Sequence, residues 1–183
     1  GSAVEEFSPH LVIDIPRKLQ GEDAPPFTYS SSDGTWLGVF DGMGGAGAAL
    51  YETPNGKQSG AYIASRTVAA GICQWISKDR NSQIPLRDQI YAVARDSLRL
   101  RAAELAMEPS RLKSRLIRSL PTTIAVARIC AASEEGRVAL EAFWTGDSRV
   151  YVQFPSGLLQ VTKDHLSSPL DALENLSQDS PLS

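Results

Sequence analysis

The stretch that most constrains this chain is Trp36 to Gly47, WLGVFDGMGGAG. An apolar run of strand type ends in one carboxylate, Asp41, and four glycines follow: Gly42, Gly44, Gly45 and Gly47. Glycine lets backbone or a ligand approach closely, because there is no Cβ to obstruct it. A carboxylate at a strand end beside such backbone suits a metal or phosphate site. It also suits a tight turn that the aspartate caps. The rest of the chain must decide between the two.

With 183 residues the chain fits one domain, and its 42% hydrophobic and 21% charged content is ordinary for a globular protein. A net charge of -3 argues against general nucleic-acid binding. No apolar run approaches the ~20 residues of a membrane span, and no signal-peptide pattern heads the sequence. A cytoplasmic protein with no membrane partner is expected. Gly1-Ser2 reads as a tag remnant. Cys73 and Cys130, in helix-like and strand-like apolar runs, are expected as buried free thiols in a reducing compartment. The only histidines, His10 and His165, lie too far apart in sequence to suggest a zinc motif.

In chain order, Leu11 to Ile15 reads as a short strand stopped by Pro16. Glu22-Asp23 is an acidic pair in front of Ala24-Pro25-Pro26 which, without further context, reads as solvated surface. Phe27–Tyr29 and Trp36–Asp41 suggest a hairpin around the turn residues Ser31 to Gly34. Tyr51 to Gln58, with Pro54 and Asn55-Gly56, reads as a loop. Ser59 is a candidate N-cap for a helix to about Lys78, with Ala61, Ala64, Val68, Ile72 and Trp75 on its apolar face. A second helix is expected over Leu86 to Met107, with Ile90, Ala94, Leu98, Ala102 and Leu105 on one face. Arg111 to Arg118 continues as a shorter basic helical piece, read as a solvated face.

The period then changes to two. Thr122 to Cys130 is apolar on both faces apart from Arg128, as in an inner strand. Val138 to Thr145 is another strand, interrupted by Gly146-Asp147-Ser148 and resumed from Arg149 to Phe154. Pro155 to Gly157 turns into Leu158 to Thr162. Strands, then two long helices, then a meander of strands imply an α+β fold with antiparallel sheet.

Gly42, Gly44 and Gly47 match the dinucleotide fingerprint G-x-G-x-x-G. Three features oppose it. Asp41 would repel a pyrophosphate. Pro54-Asn55-Gly56 interrupts the helix that should start at the glycines. No strand ending in an acid follows ~20 residues later. The competing reading joins Asp41 to Asp147, each beside glycine at a strand end. Converging carboxylates repel unless a cation lies between them, and hard oxygen donors suit Mg²⁺ or Mn²⁺.

Five blocks in order then resemble the metal-dependent protein phosphatases of the PP2C type (the PPM family): Gly21-Glu22-Asp23, Val39 to Gly45, Pro121-Thr122-Thr123, Gly146 to Tyr151, and Thr162 to His165. Met43 gives the second block its bacterial form, and the resemblance spans roughly Leu11 to His165. It implies an antiparallel β-sandwich flanked by helices, with two or three Mg²⁺ or Mn²⁺ ions. It further implies a soluble enzyme that hydrolyses phosphoserine and phosphothreonine in phosphoprotein substrates, by in-line attack of metal-activated water. By position, Asp41 would bridge two ions and the Gly42 carbonyl would bind one. Glu22 and Asp23 would hold metal-bound water or complete the shell, and Asp147 would support a further site. Lys18, with Arg17 beside it, stands where the family carries a phosphate-binding arginine. Thr123 and Arg149 would tie strands together.

The sequence also departs from the family. Lys18 cannot form the bidentate fork of arginine. Gly21 precedes Glu22 where a side chain is common, and Met43 replaces the histidine of eukaryotic members, which donates a proton to the leaving group. Pro121 replaces a glycine, and Tyr51 to Gln58 looks inserted. After His165 neither of two later family aspartates, in Ser-Asp-Gly and Asp-Asn blocks, has a counterpart: Asp171 and Asp179 lack a preceding apolar strand. The expectation is a phosphatase domain over residues 3–166, C-terminally incomplete, with residues 167–183 beginning a flap-like segment. The alternative is a catalytically inactive PP2C-like module that binds or regulates a partner.

Overall fold

The computed structural model describes residues 21–78, 84–107, 120–132 and 137–164. The expected strand at 11–15, the basic piece at 111–118, the tail from 167, and His10, Arg17, Lys18 and His165 lie outside the described residues.

The first hairpin forms as its turn chemistry dictates. Strands β1 (Phe27–Ser31) and β2 (Gly34–Val39) pair antiparallel. At the turn Gly34 has φ +132°, and a Cβ there would come within 2.5 Å of the Ile129 carbonyl on the neighbouring strand. Only glycine meets both demands. Strands β3 (Leu50–Thr53) and β4 (Gly56–Ser59) follow. They correct the loop expected at 51–58: the chain there is a hairpin in which Tyr51 faces Gln58 and Glu52 faces Lys57. Its turn is closed by Thr53, whose hydroxyl donates to the Gly56 carbonyl at 2.7 Å and accepts from the Asn55 amide at 3.2 Å. Most of its exposed positions are polar, which hid the alternation, and one aromatic ring anchors it: Tyr51 is buried among Ile63, Ala64, Ala102, Leu105 and Leu120.

Helices α1 (Gly60–Ile76) and α2 (Leu86–Met107) match the expected spans closely. Ser59 caps α1, its hydroxyl accepting from the Tyr62 amide at 3.1 Å. The predicted faces are inside: Ala61, Ala64, Val68 and Ile72 of α1, and Ile90, Ala94, Ala102 and Leu105 of α2, are buried. The helices approach closely at Gly71, where a Cβ would collide with Ser97 Oγ.

Strands β5 (Ile124–Ala131) and β6 (Val138–Thr145) complete an antiparallel sheet of order β1-β2-β5-β6. One face packs on the helices, where Trp36, Phe40, Ile124 and Val126 join Val68, Ile72, Ile76, Ile90 and Ala94. Phe27 stacks on Phe40 and Trp36 meets Trp75 edge-on, each with ring centroids 5.8 Å apart. By alternation the other face carries Leu37 and Val39 of β2, Ala125 and Ala127 of β5, and Leu140, Ala142 and Trp144 of β6. Strands β7 (Tyr151–Phe154) and β8 (Gly157–Gln160) form a separate hairpin. The chain after Gly146 therefore does not resume β6. It leaves the sheet through that glycine, at φ +75° and packed against Thr123. The architecture is α+β with antiparallel strands. Among the described residues no helix is long and apolar enough to cross a membrane.

Candidate functional site

Asp41 is placed by the sheet. Regular pairing of β2 ends at Val39, yet Gly42 bridges Thr122 in the same register that joins Val39 to Ala125. The Asp41 carbonyl accepts from the Thr123 amide and the Thr122 hydroxyl, each at 2.8 Å, and the Met43 amide donates to the Pro121 carbonyl at 3.2 Å. Alternation along β2 then puts Asp41 on the side of Leu37 and Val39, away from the helices.

The acidic loop Gly21–Asp23 is held from two sides. The Ala24 amide donates to the Phe40 carbonyl at 3.0 Å, stitching the loop to the end of β2. From α1, Ser65 Oγ donates to the Glu22 carbonyl at 2.5 Å, and Arg66 donates to the Glu22 carbonyl at 3.4 Å and the Gly21 carbonyl at 3.2 Å. Ser59, the cap of α1, also donates to Glu22 Oε1 at 2.9 Å. Glu22 is thus tied into the fold by backbone and side chain, while Asp23 beside it is exposed as a solvated acid would be.

The glycine cluster is explained by this crowding. A Cβ on Gly42 would meet the Glu22 and Ala61 carbonyls at 2.5 and 2.7 Å, and one on Gly47 the Ala61 amide at 2.5 Å. One on Gly44 would strike the Glu22 carboxylate, whereas Gly45 faces open space. The glycines admit the acidic loop and the start of α1 against the strand end.

Asp147 reaches the same neighbourhood through β5. Thr123 lies across from Asp41, and its hydroxyl is 2.5 Å from that of Ser148. Arg149 forks onto Asp164, with Nε 2.8 Å from Oδ1 and Nη2 2.5 Å from Oδ2, which raises the guanidinium pKa. The Val150 amide donates to Thr162 Oγ1 at 3.0 Å. Thr123 and Arg149 therefore connect segments that flank the strands, where they were expected to tie strands together.

The acids act on one another. The Asp41 carboxyl is pushed up to about 7, first by desolvation, then by its hydrogen bond with Asp23 and the negative charges of Asp23, Asp147 and Glu22. Asp41 is exposed as a residue, so the neighbouring charges, which a cation would offset, matter here alongside partial burial. Among the described residues no three acidic, histidine or cysteine side chains are grouped to hold a metal ion. The close pair is Asp41 with Asp23; Glu22 turns toward Ser59, and Asp147 acts through its charge. In chemistry the donors fit a hard divalent cation, with water needed to complete its shell. Cys73 and Cys130 are free and half-buried, not fully enclosed, and neither is among the groups acting on Asp41.

Sequence reasoning missed Ser65 and Arg66. The available signal was a serine on the apolar face of α1, between Ala61 and Val68, which is fully buried. A buried hydroxyl needs a partner, and here the partner is the acidic loop. No protein-family model matches the chain, and a search of curated proteins finds no match.

Proposed function

We propose that this chain carries a PP2C-type phosphatase domain that hydrolyses phosphoserine and phosphothreonine in proteins with Mg²⁺ or Mn²⁺. The observation that carries the reading is that the Gly21–Asp23 loop is stitched through Ala24 to Phe40 at the strand end, beside glycines whose Cβ positions the loop fills, so that the charges of Asp23, Asp147 and Glu22 bear on Asp41. Asp41 beside Asp23, with the charges of Asp147 and Glu22 acting on it, raises the free energy of the metal-free site, and a divalent cation would relieve it. Asp41, Asp23 and the Gly42 carbonyl would hold the ions, with Asp147 supporting a further one. When bound, the ions supply charge neutralisation at phosphorus and a water of lowered pKa. The chain's own part is to hold Asp41 by its backbone, to keep Asp23 beside it, and to leave the site open for a phosphorylated side chain. The reading also takes the four-stranded sheet as one layer of a sandwich, which the apolar residues Leu37, Val39, Leu140 and Trp144 on its helix-free face support.

The test is Mn²⁺-dependent hydrolysis of p-nitrophenyl phosphate and of a phosphothreonine peptide, with Asp41→Asn alongside. Turnover that needs Mn²⁺ and is lost in the variant is expected; unchanged turnover in the variant sinks the reading. A catalytically silent module that binds or regulates a partner is the second reading. It is favoured by the absence, among the described residues, of a three-acid metal group. It predicts no saturable Mn²⁺ binding by calorimetry.

A further inference from the structure

We infer that Ser65 and Arg66 are positioning residues that hold Asp23 beside Asp41 by clasping the backbone of the acidic loop, and so set the affinity of the site for a divalent cation. The metal half of this inference rests on the function proposed above; the clasp rests on geometry alone.

The loop has an electrostatic reason to leave. Glu22 and Asp23 put two like charges on a short loop that is stitched through Ala24 to the strand end carrying Asp41, so a loop free of cation needs a mechanical hold. Ser59 holds the Glu22 side chain, but one side-chain bond leaves the backbone free to swing. The backbone is held by the next turns of α1. Ser65 is fully buried, and its hydroxyl reaches the Glu22 carbonyl at 2.5 Å and the Tyr62 carbonyl at 3.3 Å. Arg66 reaches three carbonyls, those of Gly21, Glu22 and Tyr62, at 3.2 to 3.4 Å. Its guanidinium stacks 3.4 Å from the centroid of the Tyr62 ring, and it feels the negative charge of Asp23. A guanidinium so engaged is shaped for holding backbone and not for receiving a phosphate. Its positive charge also offsets part of the repulsion within the acid group.

The Ala24 amide reports the clasp directly, because it joins the loop to Phe40 and is remote in sequence from residues 65 and 66. Amide hydrogen exchange is measured by NMR on the metal-free full chain, for wild type, Ser65→Ala, Arg66→Gln and Arg66→Lys, with Val126 in the core as control. Exchange at Ala24 about tenfold faster in Ser65→Ala and Arg66→Gln, with Val126 unchanged, is expected for loss of a charge-assisted or buried hydrogen bond. Lysine retains the charge but not the fork, and should fall between. Mn²⁺ titration of the same proteins should show weaker binding in the same order. Unchanged exchange at Ala24 in both variants overturns the clasp, and faster exchange with unaltered Mn²⁺ affinity overturns its role in metal binding. If the wild type takes up no Mn²⁺, the proposed function fails, while the exchange comparison still decides the clasp.

Discussion

Ser59 Oγ donates to Glu22 Oε1 at 2.9 Å while accepting from the Tyr62 amide at 3.1 Å, so one hydroxyl both caps α1 and fixes an acidic side chain far from it in sequence. Removing it should do two things at once. Ser59→Ala should lower stability by about 1–2 kcal/mol in urea unfolding, as expected for a lost N-cap with an added side-chain bond. Ser59→Thr should retain most of that. Ser59→Asp can cap the helix equally well but sets a carboxylate against Glu22, so it should recover less than Thr. Equal recovery by Thr and Asp would show that the Glu22 contact contributes nothing.

The glycine cluster gives a paired test. Gly42→Ala drives a methyl into the Glu22 and Ala61 backbone carbonyls, which cannot swing aside, and should destabilise by about 1–3 kcal/mol, the range for overpacking. Gly45→Ala meets no atom and should be close to neutral. Urea midpoints of the two variants check this, and similar losses at both positions would remove the steric account.

Asp41 makes stability depend on pH. Its carboxyl titrates near 7 in the folded chain, above its ordinary value of 3.8. Between those values the folded state holds a proton that the unfolded state has released, so unfolding becomes easier as pH rises from about 4 to 7. Asp41→Asn removes the penalty. The variant should exceed wild type in metal-free buffer above pH 7 by roughly 1–2 kcal/mol, after discounting for solvent screening, and the gap should close near pH 4. A gap independent of pH would contradict the raised carboxyl.

Arg128 stands in an otherwise apolar strand because three groups engage it. It pairs with Glu141 and with Asp33, the latter at 3.5 Å, and lies 5.5 Å from the Trp36 ring. Its side chain is 18% exposed, so loss of the cation strands partly buried acids. Arg128→Ala should cost about 2–4 kcal/mol, more than an exposed ion pair would. Calorimetric melting of Arg128→Ala beside the exposed-pair variant Lys57→Ala provides the comparison.

The elements with strong periodicity were legible from sequence. The second helix was read to its terminal residues, since five apolar positions recur on one side of it. Ser59 was readable as a cap because the residue type and the start of the pattern coincide. The hairpin at Leu50–Ser59 was not, because Glu52, Lys57 and Gln58 are polar and only Tyr51 is fully buried. At the site, only the family resemblance joined Asp23 to Asp41, because an acidic pair before a proline turn carries no local signal of a partner. The Ser65 and Arg66 contacts did not follow, because hydrogen bonds to carbonyls 43 to 45 residues away leave no local pattern.

The unbroken register from Val39–Ala125 to Gly42–Thr122 has an evolutionary consequence. Asp41 has its orientation only because the residues between Trp36 and Asp41 keep strict alternation. One residue gained or lost there would turn either Trp36 out of the core or Asp41 into it. Insertions and deletions should therefore be tolerated in the turn at 32–33 or at the tip of the second hairpin, while the length from Trp36 to Gly42 stays frozen. Drift can exchange an exposed side chain of that run such as Val39, but it cannot change the number of residues.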